Sequence, residues 1–306
     1  MTTTVTPLGE FTPTTPGSGP YALCAGPDGR LWCTLVHAGR VARIDPAAGT
    51  VDEFDLGAPD CGPTLITTGP DGALWFTRHR DHRIGRIDID GTSRSHPLPG
   101  GTGGPYGIAA GPDGAVWFTL MDTDRVGRVD TEGRVRTFPL PHTGGFPSFL
   151  VAAPDGALWF TLNQAHALGR ITVTGEVELH PLPESGGAPV GLAAGPDGSL
   201  WFAEIAAGRI GRYRPEGPTG PAAWSSWRLP DPGARPHAVT VAPDGTCWFT
   251  AWGTGRLGSV SPDGTLTEHP LGGPASEPHG LAFGPDGTLY VAEERGTVSR
   301  RRVGPA

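Results

Sequence analysis

The 306-residue sequence has no CxxC pair, no GxSxG, no phosphate-cradling glycine loop and no cysteine–histidine nucleophile pair. These absences remove thiol redox chemistry, the usual serine-esterase elbow and nucleotide binding from consideration. The four cysteines, Cys24, Cys33, Cys61 and Cys247, show no metal-ligand spacing. Cys24 and Cys33 are spaced to face each other across a hairpin, but reduced packing cysteines are the expectation. No stretch reaches the roughly 18 apolar residues of a membrane span. The opening segment MTTTVTPLGEFTPTTPG lacks a basic region followed by an apolar one, so a soluble, cytoplasmic protein without a membrane partner is expected. Positive charge is scarce too: 23 Lys and Arg against 31 Asp and Glu give a net charge of −8 and a pI near 5.6. That balance argues against nucleic acid as a partner, because a phosphate backbone needs clustered cations. No coiled coil or apolar patch suggests an oligomer, and a monomer is expected.

What is present is 49 Gly, 34 Pro and nine Trp, in a pattern. Pro-Asp-Gly recurs with its aspartate at Asp28, Asp71, Asp113, Asp155, Asp197, Asp244 and Asp286, at spacings of 43, 42, 42, 42, 47 and 42 residues. A period near 42 marks a propeller or a solenoid. Each unit holds four short strand-like runs, the first two joined by the Pro-Asp-Gly hairpin turn. An aromatic stands four residues after each aspartate: Trp32, Trp75, Trp117, Trp159, Trp201, Trp248 and Tyr290. These read as core between neighbouring blades. The seventh unit has only three strand-like runs, and Gly9 to Pro13 resembles the missing fourth. Closing the ring with that segment removes the open sheet edges. The expectation is therefore an all-β, single-domain, seven-bladed β-propeller over residues 1–306.

The repeat also locates a candidate site, because residues equally far from each turn fall at the same height of the ring. Seven residues before each aspartate stand Tyr21, Thr64, Tyr106, Ser148, Val190, His237 and His279; only blades six and seven carry imidazoles. Nine residues before, the series Gly19, Gly62, Gly104, Phe146, Ala188, Arg235 and Glu277 has one carboxylate. Eight residues after, Val36, His79, Met121, Asn163, Ile205, Trp252 and Glu294 has one more. A regular two-residue turn centred between Asp286 and Gly287 would pair His279 with Glu294, within reach of Glu277. A bulge would bring Glu293 into competition, and Glu204 fills that slot in blade five, but strand alternation sends residue 293 to the other face. Two carboxylates without Lys or Arg in the same strands repel unless a cation lies between them. Mg²⁺ suits that oxygen-only pair, which leaves His279 as a general base.

Other features read as structure. Arg43, Arg86, Arg128, Arg170 and Arg212 follow the repeat and are expected to pair with turn acids; Arg78 to Arg83 reads as a solvated turn. The five extra residues of the long spacing fall around Gly217 to Trp227 and read as a lengthened outer loop.

Glu277-Pro278-His279-Gly280, with Glu294 fifteen residues after that histidine and His237 forty-two before it, resembles the virginiamycin B (streptogramin B) lyase family over nearly the whole chain. The resemblance implies a Mg²⁺-dependent carbon–oxygen lyase that linearises cyclic depsipeptide antibiotics by eliminating the ester carboxylate from a threonine side chain, and so confers resistance. It implies that His279 removes the threonine α-proton, that Glu277 and Glu294 hold Mg²⁺, and that His237 contacts substrate. Tyr21, Tyr106, Phe146 and Trp252 stand at rim positions suited to a ligand's aromatic groups. Propellers also serve as ester or lactone hydrolases and as non-catalytic platforms, and these remain the alternatives.

Overall fold

Residues 3–216 and 220–305 are described by a computed structural model of the chain. They form seven four-stranded antiparallel sheets and three single-turn 3-10 segments. Blade one is typical: Pro20–Ala25, Leu31–Leu35, Arg40–Asp45 and Thr50–Asp55, paired in that order from the axis outward. First strands of neighbouring blades touch all round, including blade seven against blade one, so the sheets close into the expected ring. The seventh blade is completed by Thr3–Phe11, which pairs with Thr297–Pro305, placing Phe11 opposite Val298. This strand is longer than the segment the repeat suggested and bulges at Leu8, just before Gly9, whose φ is 107°.

The repeat aromatics are the core: Trp32, Trp75, Trp117 and Trp248 are at most 1% exposed, and each packs against the following blade. The Pro-Asp-Gly turns tie this core to the surface. In blades two, three and four one aspartate accepts the indole N–H of its tryptophan at 2.9, 2.9 and 3.1 Å and an arginine Nε–H at 2.7, 2.6 and 2.8 Å. The expected arginine–acid pairs hold there, but Arg43 pairs with Asp52 and Arg212 lies over Trp201 and Trp227 instead. Burial alone would raise Asp71, Asp113 and Asp155; the indole and guanidinium donors outweigh it and hold all three below the usual carboxylate range.

Their sign is that of carboxylates ionised more readily folded than unfolded. The stabilisation is complete above the unfolded value near 4 and is lost as pH falls through and below it. Thermal melts between pH 6 and pH 3 are expected to show a steep fall below about pH 4, and Asp113→Asn should flatten part of that fall; an identical profile in the variant would show that these turns do not carry the acid sensitivity.

The hairpin turn differs from the expectation. Gly284 N–H donates to Thr288 O and Gly287 N–H to Gly284 O, so Pro-Asp-Gly is a three-residue loop with Gly287 at φ 74°. Phe283 then pairs with Leu289, and a second shift leaves Pro278 opposite Glu293. The Glu294 amide in turn donates to the Glu277 carbonyl at 3.0 Å. His279 is therefore not the cross-strand partner of Glu294; Glu277 is. The same one-residue shift sets Cys24 opposite Trp32 and Cys33 opposite Leu23, and all four cysteines are free.

The lengthened segment in blade five lies partly outside the described residues, at 217–219. Its remainder forms a 3-10 turn and the outer strand Trp224–Arg228. Trp227 stacks on Trp201 at 5.1 Å and Trp224 on Tyr213 at 4.3 Å, so both tryptophans extend the core outward.

Candidate active site

Each inner strand begins with a residue in the left-handed region at the position nine before the turn aspartate. Blades one to three place Gly19, Gly62 and Gly104 there, while Phe146, Ala188, Arg235 and Glu277 adopt the same geometry at φ 56°, 49°, 47° and 46°. A left-handed non-glycine residue costs about 1–2 kcal/mol. Four consecutive blades accept that cost and carry a side chain at this position, whereas a Cβ at Gly19, Gly62 or Gly104 would lie within 3.0 Å of His37, Arg80 or Asp122. Such clustered strain accompanies functional sites.

Inside the mouth the structure brings His237 and His279 together, with rings 4.9 Å apart and nearly perpendicular. Tyr21 stacks on His279 at 4.7 Å and meets the edge of His237 at 6.1 Å. Phe149 closes on His237 from across the axis at 5.7 Å. The Tyr21 and Tyr106 hydroxyls meet at 2.6 Å, giving the funnel a floor. Burial first, then the neighbouring hydroxyl and Glu294, push Tyr21 well above its ordinary range, while Tyr106 is pushed up to about 12. Both are neutral hydrogen-bonding groups at neutral pH. Burial and the adjacent His279 pull His237 down to about 3, so it too is neutral there.

His279 Nε2 lies 2.5 Å from one oxygen of Glu294, and His37 Nε2 lies 2.6 Å from the other. With Nε2 donating to the carboxylate, His279 Nδ1 carries the free lone pair, and that buried atom has no protein partner. The hydrogen bond and charge of His279, then those of His37, hold Glu294 down at about 2 despite its burial. Glu293 points to the other face, as alternation requires: it is fully buried and lies 3.0 Å from Arg295. Arg295 is thereby drawn away from Glu294. Glu204, in the corresponding slot of blade five, pairs with Arg209 in the same manner.

Glu277 is exposed and has no cationic side chain within 4.0 Å among the described residues. Its backbone is paired with that of Glu294, yet no group of three or more His, Cys, Asp or Glu side chains converges as a metal cage among the described residues. The donor chemistry nevertheless fits a hard cation: a carboxylate without a cationic neighbour, on a residue whose backbone pairs with that of a second carboxylate held only by imidazole hydrogen bonds.

Local packing explains why the residues sit so. Thr250 of blade six accepts the Ala238 amide at 3.0 Å and donates to the carbonyl of His279 at 2.8 Å, fastening the His279 backbone across the blade boundary. Gly280 follows because a Cβ there would lie 2.6 Å from the Tyr21 carbonyl oxygen. Thr250→Val is expected to leave two buried backbone groups short of a partner, at about 1–3 kcal/mol each, and to lower turnover about 10- to 100-fold through misplacement of the imidazole. Steady-state kinetics and a melt measured on the same sample check both effects; lost stability with unchanged kcat would show that His279 does not depend on this bridge.

Sequence reasoning missed His37, which reaches the site from blade one because the ring closes there. It also took Arg78 to Arg83 for a solvated turn, whereas Arg78 is buried against Asp81 and the His79 ring meets Tyr106 at 6.4 Å. Of the rim aromatics, Tyr21 and Tyr106 form the floor, Trp252 lies 6.0 Å from His279, and Phe146 is 38% exposed at the mouth. Arg235 lies over Trp252 at 5.3 Å and has no carboxylate within 4.0 Å among the described residues.

A closed propeller with one histidine–carboxylate site where its axis opens is the architecture of a propeller enzyme acting on a small molecule. The sequence profile of the virginiamycin B lyase family matches residues 6–301, and the chain belongs to that family. A solved streptogramin B lyase superposes with a TM-score of 0.91 at 36% identity, covering 99% of this chain and 98% of that one. Virginiamycin B lyase from Staphylococcus aureus superposes at 0.91 and 34% identity over 100% of both chains. A catalytically inactive histidine-to-alanine form of the staphylococcal enzyme, solved with quinupristin, superposes at 0.90 and 33% identity over 100% of both. Among curated sequences, virginiamycin B lyase from Streptomyces coelicolor is 56% identical over 48 residues, a stretch spanning 16% of each chain. No helix among the described residues is long and apolar enough to cross a membrane.

Proposed function

We propose that the protein is a carbon–oxygen lyase that opens streptogramin B-type cyclic depsipeptides by elimination at the threonine ester, an activity that would give antibiotic resistance. The observation that carries this reading is the His279–Glu294 pair, 2.5 Å apart, among the aromatic rings of Tyr21, His237 and Trp252. In elimination a base removes the threonine α-proton, electrons form the Cα–Cβ double bond, and the Cβ–O bond breaks to release the carboxylate. His279 is the base. Glu294 fixes its tautomer and stabilises the imidazolium that forms. Neutral His237 and the Tyr21 hydroxyl contact the substrate's carbonyl groups without competing for the proton, and Arg235 faces the departing carboxylate from its seat on Trp252.

Glu277 and Glu294 are the residues that would hold Mg²⁺, and the chemistry a bound ion supplies there is polarisation of the carbonyl beside the acidic proton. Exposed Glu277, without a cationic neighbour, supports that assignment. The quinupristin bound by the staphylococcal relative supports a streptogramin substrate, and the inactivity of that relative's histidine-to-alanine form supports a histidine base. The test is turnover of quinupristin by chelator-treated protein with and without added Mg²⁺. Restoration by Mg²⁺ is expected; full activity in chelator would remove the metal from this account.

A further inference from the structure

The repeat arginine is missing in one blade. Opposite the core aromatic stand Arg43, Arg86, Arg128, Arg170, Arg212 and Arg300, but Trp248 of blade six faces Ser259. In blades two to four that arginine neutralises the turn aspartate, which also binds the indole. In blade six the Asp244 carboxylate accepts the Thr246 amide at 2.9 Å and, among the described residues, has no guanidinium and no indole bond. Beside it, between blades six and seven and on the face opposite the mouth, lies a groove of about 820 Å³. It is lined by Phe283 and Val303, with an edge of the buried Trp248 beneath, and flanked by the carboxylates of Asp244 and Asp263. Asp263 is held down at about 2 by Ser261 and Thr265 and is ionised at neutral pH. Among the described residues no cationic side chain lines this groove, whereas a groove of about 700 Å³ at the turn end of blade three is lined by Arg128, Arg134 and Arg136 beside Asp113 and Asp130.

We propose that the cleft between blades six and seven binds an organic cation, a guanidinium on an apolar stem, in the place that the repeat arginine fills elsewhere. The guanidinium meets Asp244 and Asp263, and its stem lies on Phe283 and Val303. The volume exceeds one side chain and lies in the range of small-molecule sites.

The test follows the Trp248 indole N–H resonance, assigned with Trp248→Phe, as n-butylguanidine is added to the intact protein. A saturable shift with a dissociation constant of about 1 mM is expected, as for a ligand of this size. The neutral isostere n-butylurea should bind at least about tenfold more weakly, and Asp244→Asn should weaken the cation about as much. Ser259→Arg, which restores the repeat, should abolish binding, raise Tm by about 2 °C and leave lyase turnover unchanged. A capped peptide with one arginine distinguishes the sources: tighter binding than butylguanidine identifies a peptide ligand, equal binding a free small cation. No saturable shift, equal binding of the urea, or undiminished binding by Ser259→Arg would each overturn the proposal. If Ser259→Arg does not fold, the surface substitution Asp244→Asn decides alone.

Discussion

His279→Ala is expected to lower kcat for streptogramin opening about 1,000- to 10,000-fold, the upper range for loss of a positioned general base, while the melting temperature changes little. The two effects separate because, in the proposed elimination, His279 supplies the base while its ring lies outside the inter-blade core. Its ring packs against Tyr21, His237 and Trp252 at the mouth, while the inter-blade core of Trp248, Leu281 and Val291 lies deeper. The backbone fastening by Thr250 uses the carbonyl of His279 and survives the substitution. A variant that folds, binds the antibiotic and leaves it closed is the expected result. Measurable turnover within tenfold of the unsubstituted protein would move the base elsewhere, and His237 would be a poor substitute, since burial already holds it neutral and weakly basic.

Glu294→Gln is expected to cost about 100- to 1,000-fold in turnover, on the scale of removing one preorganised electrostatic group. The neutral amide keeps the shape but no longer stabilises an imidazolium on Nε2, and it weakens any cation held with Glu277. Glu277→Gly offers the sharper contrast. Glycine is the residue that blades one to three place at this left-handed position, so the change relieves about 1–2 kcal/mol of backbone strain while giving back about 0.5–1 kcal/mol of chain entropy. Activity should fall about 100-fold with stability unchanged or slightly raised. Kinetics paired with calorimetry on each variant check this, and a large loss of stability in Glu277→Gly would contradict the reading of position 277 as a strained functional residue.

The blade architecture was legible because Pro-Asp-Gly, the aromatic four residues on and the strand periodicity all repeat together, and because Gly9 to Pro13 supplied the one strand the last unit lacked. The candidate residues stood out for the same reason: at the positions seven and nine before the turn aspartate, only blades six and seven carry an imidazole or a carboxylate. The register of the site was not legible. The pairing of His279 with Glu294 assumed a two-residue turn, but Gly287 at φ 74° makes a three-residue loop, and Glu277 at φ 46° adds a second shift at the strand's start. Backbone angles of this kind follow from tertiary closure as much as from local sequence. His37 was hidden by sequence distance, 257 residues from the carboxylate it binds; the series nine residues after each aspartate contains it, once blade one is placed beside blade seven. Strand alternation separated Glu294 from Glu293, and in the structure Glu293 is buried beside Arg295 while Glu294 contacts His279.

The central claim is elimination, and the product of the reaction tests it most directly. Mass spectrometry of quinupristin incubated with the protein and Mg²⁺, with a His279→Ala control, is expected to show a linear product of unchanged mass carrying a new Cα–Cβ double bond, absent from the control. A product heavier by one water would contradict the account and make the protein a hydrolase.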